Sequence, residues 1–371
     1  MRLLALAVAL LAAPLLSGCV VIGGEARTEW AFDATQLTGA AAAGHTGAGV
    51  TIAILDTGIN VRHNALKHLV DGDLGNGELV GFQDYVNGRS GVANAYDDEG
   101  HGSHVGGIIA AQGSSLADKI SYGGIDLLGG APHARLLVAK VCGTAAQACL
   151  VDAIPQAIQW AVDNRAQVIS LSLGSTDTIP LLRQSPQERA IIDAVDNAVA
   201  HGVVVIAAAG NSGPDNSDVS TPADIPAVLS VGATQRDGSV WANSSRGNDA
   251  ANPCRPVPTS PVRLPVPVPT SRCDPDKKPE LVAPGVDILS AWTGDSYVRA
   301  RGTSQATPFV TCAVALLLEG RPPLGDRAGV AAIKQVLEST AAPVPGQARP
   351  HDAAAGYGAL QAMAALEAYR P

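Results

Sequence analysis

Two things are missing from these 371 residues: a run of like charge, and an apolar stretch long enough to span a bilayer. The formal net charge is −9, with the acidic residues scattered along the chain. A surface that tracks nucleic-acid phosphates needs a clustered basic stripe instead, so nucleic acid is not an expected partner. Leu3 to Leu16 is apolar apart from Pro14, yet falls short of the roughly 20 residues that a spanning helix requires. Also missing are an internal repeat, a second compact domain and a zinc-ligand spacing among Cys and His, so no metal site is expected. What remains, 46% hydrophobic and 16% charged, suits one globular unit with a large core.

Arg2 followed by the short apolar run reads as an export signal. It ends in Leu16-Ser17-Gly18-Cys19, which resembles the bacterial lipoprotein box. On that reading residues 1–18 are removed, Cys19 carries lipid, and residues 19–29 form a tether. An ordinary signal peptide that happens to contain a cysteine is the competing reading. Lipid anchors a protein without a transmembrane helix. The expected location is therefore the exported side of a bacterial membrane, the outer membrane if the host is Gram-negative, since no Asp follows Cys19. Cys142 and Cys149 lie in a Gly/Ala-rich turn, and Cys254 and Cys273 bracket a Pro-rich segment. In an oxidising compartment both pairs are expected to close as disulfides. Cys312, in an apolar run, is expected to be a buried inert thiol.

From about residue 48 short apolar runs alternate with longer helical ones. Val50–Leu55, Leu136–Val141, Val168–Leu173 and Val203–Ala208 lack polar alternation, as strands buried on both faces do. Val228–Val231 and Val286–Ser290 are further strand candidates. Helices are expected over His104–Ala111, Leu150–Asn164, Glu188–His201, Thr303–Glu319, Ala328–Ser339 and Leu360–Tyr369. This order predicts an α/β fold: a doubly wound, mostly parallel sheet with helices on both faces. Ligands of such sheets bind beyond the carboxyl ends of the strands. Asp71 to Glu99 reads as a long surface loop and residues 252–275 as a Pro-rich surface insertion.

Four short motifs fall at those strand ends. Ala53-Ile54-Leu55-Asp56-Thr57-Gly58 puts a carboxylate directly after a buried strand. Gly100-His101-Gly102-Ser103-His104 starts a helix with a histidine between glycines that permit close backbone approach. Ala207-Ala208-Ala209-Gly210-Asn211 ends an apolar strand in an amide. Gly302-Thr303-Ser304-Gln305-Ala306-Thr307-Pro308 places a hydroxyl at a helix start, with the proline in the opening turns, where backbone donors lack partners. Taken singly they have plain readings: a turn Asp, a structural His, a turn Asn, a helix-capping Ser. A metal shared by His101 and His104 lacks a third ligand.

Together, in the order Asp, His, Asn, Ser, the motifs resemble the subtilisin-like serine protease family, the subtilases, for which that chain order of the triad is known. Ser172-Leu173-Gly174, Leu281-Val282-Ala283-Pro284-Gly285 and Gly356-Tyr357-Gly358 extend the likeness over most of residues 30–371. The resemblance implies a serine endopeptidase with Ser304 as nucleophile, His101 as base, Asp56 as its partner and Asn211 in the oxyanion hole. It implies that extended peptides pair with Ser172–Gly174, with a specificity pocket walled by Leu173, Gly174, Ala208, Ala209 and Gly210. The pocket floor is expected near Val219–Thr221, with Asp215 and Asp218 as loop charges. No cofactor is needed for this chemistry, and a monomer is expected.

The chain departs from the family in four places, one of them conservative: Ser103 where Thr is commoner. Gln305 stands where Met is usual, and is expected to alter packing near the nucleophile. Cys19 to Asp56 leaves no room for the family's inhibitory folding domain, so folding unaided, help from another protein, or another control of activity is expected. A structural calcium site is conceivable but unassigned, because Gln112 to Asp126 does not match the family's calcium loop. Two alternatives stand beside the protease. One is a catalytically silent fold serving as a surface binding module. The other is an α/β-hydrolase esterase, which the absence of Gly-x-Ser-x-Gly around Ser304 disfavours.

Overall fold

The computed structural model describes residues 29–71, 78–113, 127–144, 149–174, 186–214, 219–247, 278–347 and 350–370. The export segment with Cys19, Cys254, Cys273, Asp215, Asp218 and the Pro-rich insertion lie outside them. The chain opens with α1 (Glu29–Ala34) and α2 (Leu37–Ala42), then β1 (Thr51–Asp56), α3 (His68–Asp71), β2 (Leu79–Asp84) and α4 (His101–Ala110). There follow β3 (Arg135–Lys140), α5 (Ala153–Asp163), β4 (Val168–Leu171), α6 (Pro186–Ala200), β5 (Val204–Ala208) and β6 (Leu229–Thr234). The last third holds β7 (Leu281–Pro284), β8 (Ile288–Ala291), β9 (Tyr297–Ala300), α7 (Thr303–Leu318), α8 (Arg327–Thr340) and α9 (Ala362–Ala368).

Seven strands form one sheet in the order β2-β3-β1-β4-β5-β6-β7, each neighbouring pair parallel. β1, β4, β5 and β6 are buried along their whole lengths, which is why their sequences show no polar alternation. From β1 the chain moves out to β2 and back to β3 on one side, then crosses to β4 and proceeds outward to β7. Loops therefore diverge at the carboxyl ends of β1 and β4, and a crevice opens there. Asp56 ends β1, Ser172 follows β4, and Asn211 follows β5 closely.

Helix α7 is apolar on all sides and so must lie inside the protein. It packs on β4, β5, β6, β7 and α4, and only Ser304 among its residues is not fully buried. The Thr311 hydroxyl donates to Ser170 Oγ of β4 at 3.1 Å, which satisfies a polar pair within the core. Helices α5 and α6 pack on each other, on β1 and on β5, and cover the other face.

Two expectations are corrected. Asp71–Glu99 is not one surface loop, because β2 runs through it with Leu79, Phe82 and Asp84 buried. Asp84 tolerates burial because its carboxylate accepts from Val86 N, Asn87 N and the Tyr96 hydroxyl at 2.7–2.9 Å. Val286–Ser290 is not part of the main sheet. Leu281–Pro284 takes the edge position there, and β8 pairs with β9 in a separate antiparallel ribbon after Asp287 turns the chain with φ 62°. The Cys142–Cys149 disulfide is present, and Cys312 is a buried free thiol whose pKa burial pushes beyond the usual thiol range.

The edge strand β7 is tied down by charge. Glu280, fully buried, meets Lys278 Nζ at 2.6 Å and Lys334 Nζ of α8 at 2.7 Å, while its Oε2 accepts from Ser230 N of β6. Removing the shared carboxylate charge leaves two lysine charges, 8% and 13% exposed, without the anion between them. Glu280→Gln is expected to lower unfolding stability by about 3 kcal/mol or more, measured by urea denaturation. A loss under about 1 kcal/mol, the scale of an exposed pair, would show that water already screens this cluster.

Candidate active site

Asp56 and His101 meet where the end of β1 abuts the start of α4. The His101 Nδ1 lies 2.7 Å from Asp56 Oδ1. A carboxylate can only accept, so Nδ1 carries the proton, and Nε2 holds the lone pair whenever the ring is neutral. Asp56 is 1% exposed; its Oδ1 also accepts from Thr57 N at 2.7 Å, and its Oδ2 has no hydrogen-bond partner among the described residues.

The close approach depends on two glycines. A Cβ at Gly58 would overlap Tyr96 O, and one at Gly102 would overlap Gly58 O. Gly58 also has φ 120°, which side-chain-bearing residues rarely adopt. Asp97 acts as the hub of this contact: its Oδ1 accepts from Thr57 Oγ1, Glu99 N and Gly100 N, and its Oδ2 from Ser103 N and Oγ. Thr57 Oγ1 in turn accepts from Gly102 N at 2.8 Å. Thr57 stood out in the sequence only as part of its motif, and Asp97 lay in the stretch read as a surface loop.

His104 is not a second ligand or base. It is fully buried, with Nε2 between the carbonyls of Ile288 and Val298 at 3.0 and 3.1 Å. Burial, then the neighbouring charge of His101, push its pKa down to about 3, so the ring is neutral. For His101, burial opposes the charged form most strongly. The Asp56 carboxylate, through its charge and its hydrogen bond, then Glu99 and Asp97, outweigh that and hold the ring at about 9.

On the other side of the crevice, Asn211 Oδ1 accepts from Thr303 N at 2.9 Å and from Thr303 Oγ1 at 3.1 Å. A backbone N–H only donates, so the atom facing it is the amide oxygen, and the NH2 is left for the crevice. Thr303 Oγ1 itself accepts from Gly210 N. Ser304 follows at the second position of α7, where its backbone N–H has no intrahelical acceptor and faces the positive end of the helix dipole.

Pro308 is the sixth residue of α7, beyond the opening turn, so the explanation read from sequence fails. Its missing N–H leaves Ser304 O without the usual i+4 donor. Ser172 Oγ supplies one instead, at 2.9 Å, and Ser304 Oγ donates back to Ser172 O at 2.9 Å. The nucleophile candidate thus sits in a reciprocal clasp with Ser172; its hydroxyl is not hydrogen-bonded to His101.

Leu173, Gly174, Ala208, Gly210, Asn211, Ser212, Ser220 and Ser304 line one pocket. Ala209, expected as a wall, is not one. Its methyl is fully buried on the opposite side of the chain, and its carbonyl accepts from Ser220 N and Oγ. Gln305 is buried beside Gly302, next to Asn211. Among the described residues no group of three or more His, Cys, Asp or Glu is arranged to hold a metal ion, and no helix is long and apolar enough to cross a membrane.

Residues 47–358 match the family model described as the subtilase family. The chain is 31% identical over 307 residues to the serine protease AprX of Bacillus subtilis, covering 75% of this chain and 59% of that protein. It is 32% identical over 293 residues to subtilisin BL of Lederbergia lenta, covering 79% and 85% respectively. An alkaline protease of Alkalihalobacillus alcalophilus is likewise 32% identical over 293 residues, with 79% and 60% covered.

The raised His101 pKa has a testable sign. A folded value above the unfolded 6.5 contributes stability that is complete below about pH 6.5 and lost as pH rises through about 9. NMR titration of the His101 ring is expected to show a midpoint near pH 9, and Glu99→Gln to lower it. A wild-type midpoint at or below 6.5 would mean that burial outweighs the carboxylates.

Proposed function

The chain belongs to the subtilase family of serine proteases, and on that premise we propose that it cleaves peptide bonds through an acyl-enzyme formed on Ser304. The observation that carries this reading is the 2.7 Å contact of His101 Nδ1 with Asp56, which directs the basic Nε2 away from the carboxylate. Ser304 Oγ turns about one side-chain torsion from Ser172 O and passes its proton to His101 Nε2 as it attacks the substrate carbonyl. Asp56 holds the tautomer and stabilises the imidazolium. The Asn211 NH2 and Ser304 N–H donate to the carbonyl oxygen as its negative charge grows. His101 then returns the proton to the leaving amine, and water repeats the sequence to release the acyl group. Each proton and charge is handled by a side chain or backbone group, so the scheme calls for no cofactor; a structural calcium ion remains unassigned.

Extended peptide is the proposed substrate form. It adds as a strand along Ser172–Gly174, and backbone pairing leaves side-chain choice to the pocket. The described lining carries no charged side chain, which favours uncharged residues there. We further propose an exported monomer held to a membrane by lipid on Cys19. Cys19→Ala is expected to abolish incorporation of labelled palmitate and release the protein into the soluble fraction; unchanged labelling would exclude that anchor.

The enzymatic reading is tested with a fluorophosphonate probe and a peptide library. Wild type is expected to label and to cleave, and Ser304→Ala to do neither. Folded wild type that neither labels nor cleaves would instead favour a silent binding module. Asn211→Ala is expected to fold normally and to lose on the order of 10²–10³ in kcat, the loss known for subtilisin when one oxyanion-hole donor is removed. Because the base must be neutral, kcat/KM is expected to rise with pH to a plateau above about 9. A plateau already reached by pH 6.5 would show that burial outweighs the carboxylates in setting the pKa of the base.

A further inference from the structure

We propose that Lys140 is a positioning residue for the Asp56–His101 pair, clamping the turn after β1 to the turn before α4 through its ammonium group. The proposal rests on the proteolytic reading above. Lys140 ends the apolar strand β3, registers beside Asp56 and is fully buried. A buried ammonium is tolerated only when paired and hydrogen-bonded. Here its three N–H donors meet three acceptors: Thr57 O at 2.6 Å, Asp98 Oδ1 at 2.6 Å and Cys142 O at 3.0 Å.

Each acceptor belongs to a different segment, and each segment touches the catalytic pair. Thr57 follows Asp56, donates its N–H to the Asp56 carboxylate, and takes the N–H of Gly102 on its hydroxyl. Asp98 precedes Glu99, whose carboxylate accepts the His101 backbone N–H at 2.8 Å. Cys142 donates its N–H to Asp56 O at 3.2 Å and is fixed from the other side by its disulfide to Cys149. The ammonium also lies 5.3 Å from the centre of the Tyr96 ring, and Tyr96 O accepts from Ile59 N just beyond the Asp56 turn. One tetrahedral cation therefore sets the spacing of three loops. A planar guanidinium spreads its donors and cannot gather the same three acceptors onto one point.

The test uses the full chain and reads kcat, KM and the downfield proton resonance of the His101 Nδ1–H bonded to Asp56. Lys140→Met is expected to keep KM close to wild type, to lose about 10²-fold in kcat, and to shift or broaden that resonance. Lys140→Arg, which keeps the charge and loses the geometry, is expected not to restore kcat. Asp98→Asn removes the charge from one arm, at a side chain 42% exposed, and leaves an acceptor in place, so it is the variant to read where Lys140→Met does not fold. It is expected to show a smaller loss of kcat and the same shift. Folded Lys140→Met or Asp98→Asn with wild-type kcat and an unshifted resonance would overturn the proposal. If wild type itself neither cleaves nor labels, the proteolytic reading fails, and the resonance in wild type and Asp98→Asn still decides the clamp.

Discussion

The hydrogen bond between Asp56 and His101 is the contact on which the rest of the site depends, and it is a constraint on backbone as much as on side chains. The two residues belong to a strand and a helix far apart in sequence, and a 2.7 Å bond requires the helix start to rest directly on the strand's outgoing turn. Gly58 and Gly102 allow this because neither has a side chain to hold the two backbones apart. Asp97 then fastens the contact by taking donors from both sides, Thr57 on one and Gly100 and Ser103 on the other. A carboxylate that collects backbone and hydroxyl donors is satisfied in place, so it holds geometry without demanding a cation. Lys140 supplies the cation one layer further out, at Asp98.

The opposite half of the crevice is built on different logic. There a helix irregularity creates a need that a loop fulfils. Pro308 removes the donor that Ser304 O would have had, and the hydroxyl of Ser172 replaces it. The residue after strand β4 and the residue at the head of α7 are thereby locked in register. Thr303 does the same for Asn211, taking its amide oxygen so that only the NH2 remains for the crevice. The clasp has a second consequence. Ser304 Oγ rests on Ser172 O, a carbonyl on the segment proposed to pair with substrate, so docking and release of the hydroxyl share one acceptor.

Much of this was legible in the sequence because the candidate site residues of a parallel sheet sit where apolar runs end. Asp56, Asn211 and Ser304 each follow or begin such a run, and their place at one edge follows from strand order alone. What was hidden was hidden for physical reasons. β2 is an edge strand, Leu79-Val80-Gly81-Phe82-Gln83-Asp84, whose apolar residues are broken by Gly81 and followed by Gln83 and Asp84, so it lacks the uninterrupted apolar signature of the central strands. β8 has the buried, apolar composition of a sheet strand, and the turn at Asp287 just before it carries the chain out of the main sheet. Ala209 looks like its two alanine neighbours, and the two-residue alternation of an extended chain alone turns it into the core. Lys140 carries no signal except its position, a charged residue closing a run of Leu, Val and Ala, and charge at a strand end ordinarily means solvent.

The electrostatics of His101 set a trade that the fold resolves in one direction. Asp56, Glu99 and Asp97 all favour the imidazolium, the species that the proposed mechanism forms, and together they overcome the burial that opposes it. A base made stronger in this way accepts the serine proton more readily, but less of it is in the neutral form at pH 7. The neighbouring His104 adds nothing to this balance, since burial keeps it uncharged. Nor does the Lys140 ammonium cancel the carboxylates, since it is spent on Asp98 and two carbonyls. On the proposed mechanism the arrangement puts transition-state stabilisation ahead of resting availability of the base, because three carboxylates converge on one ring.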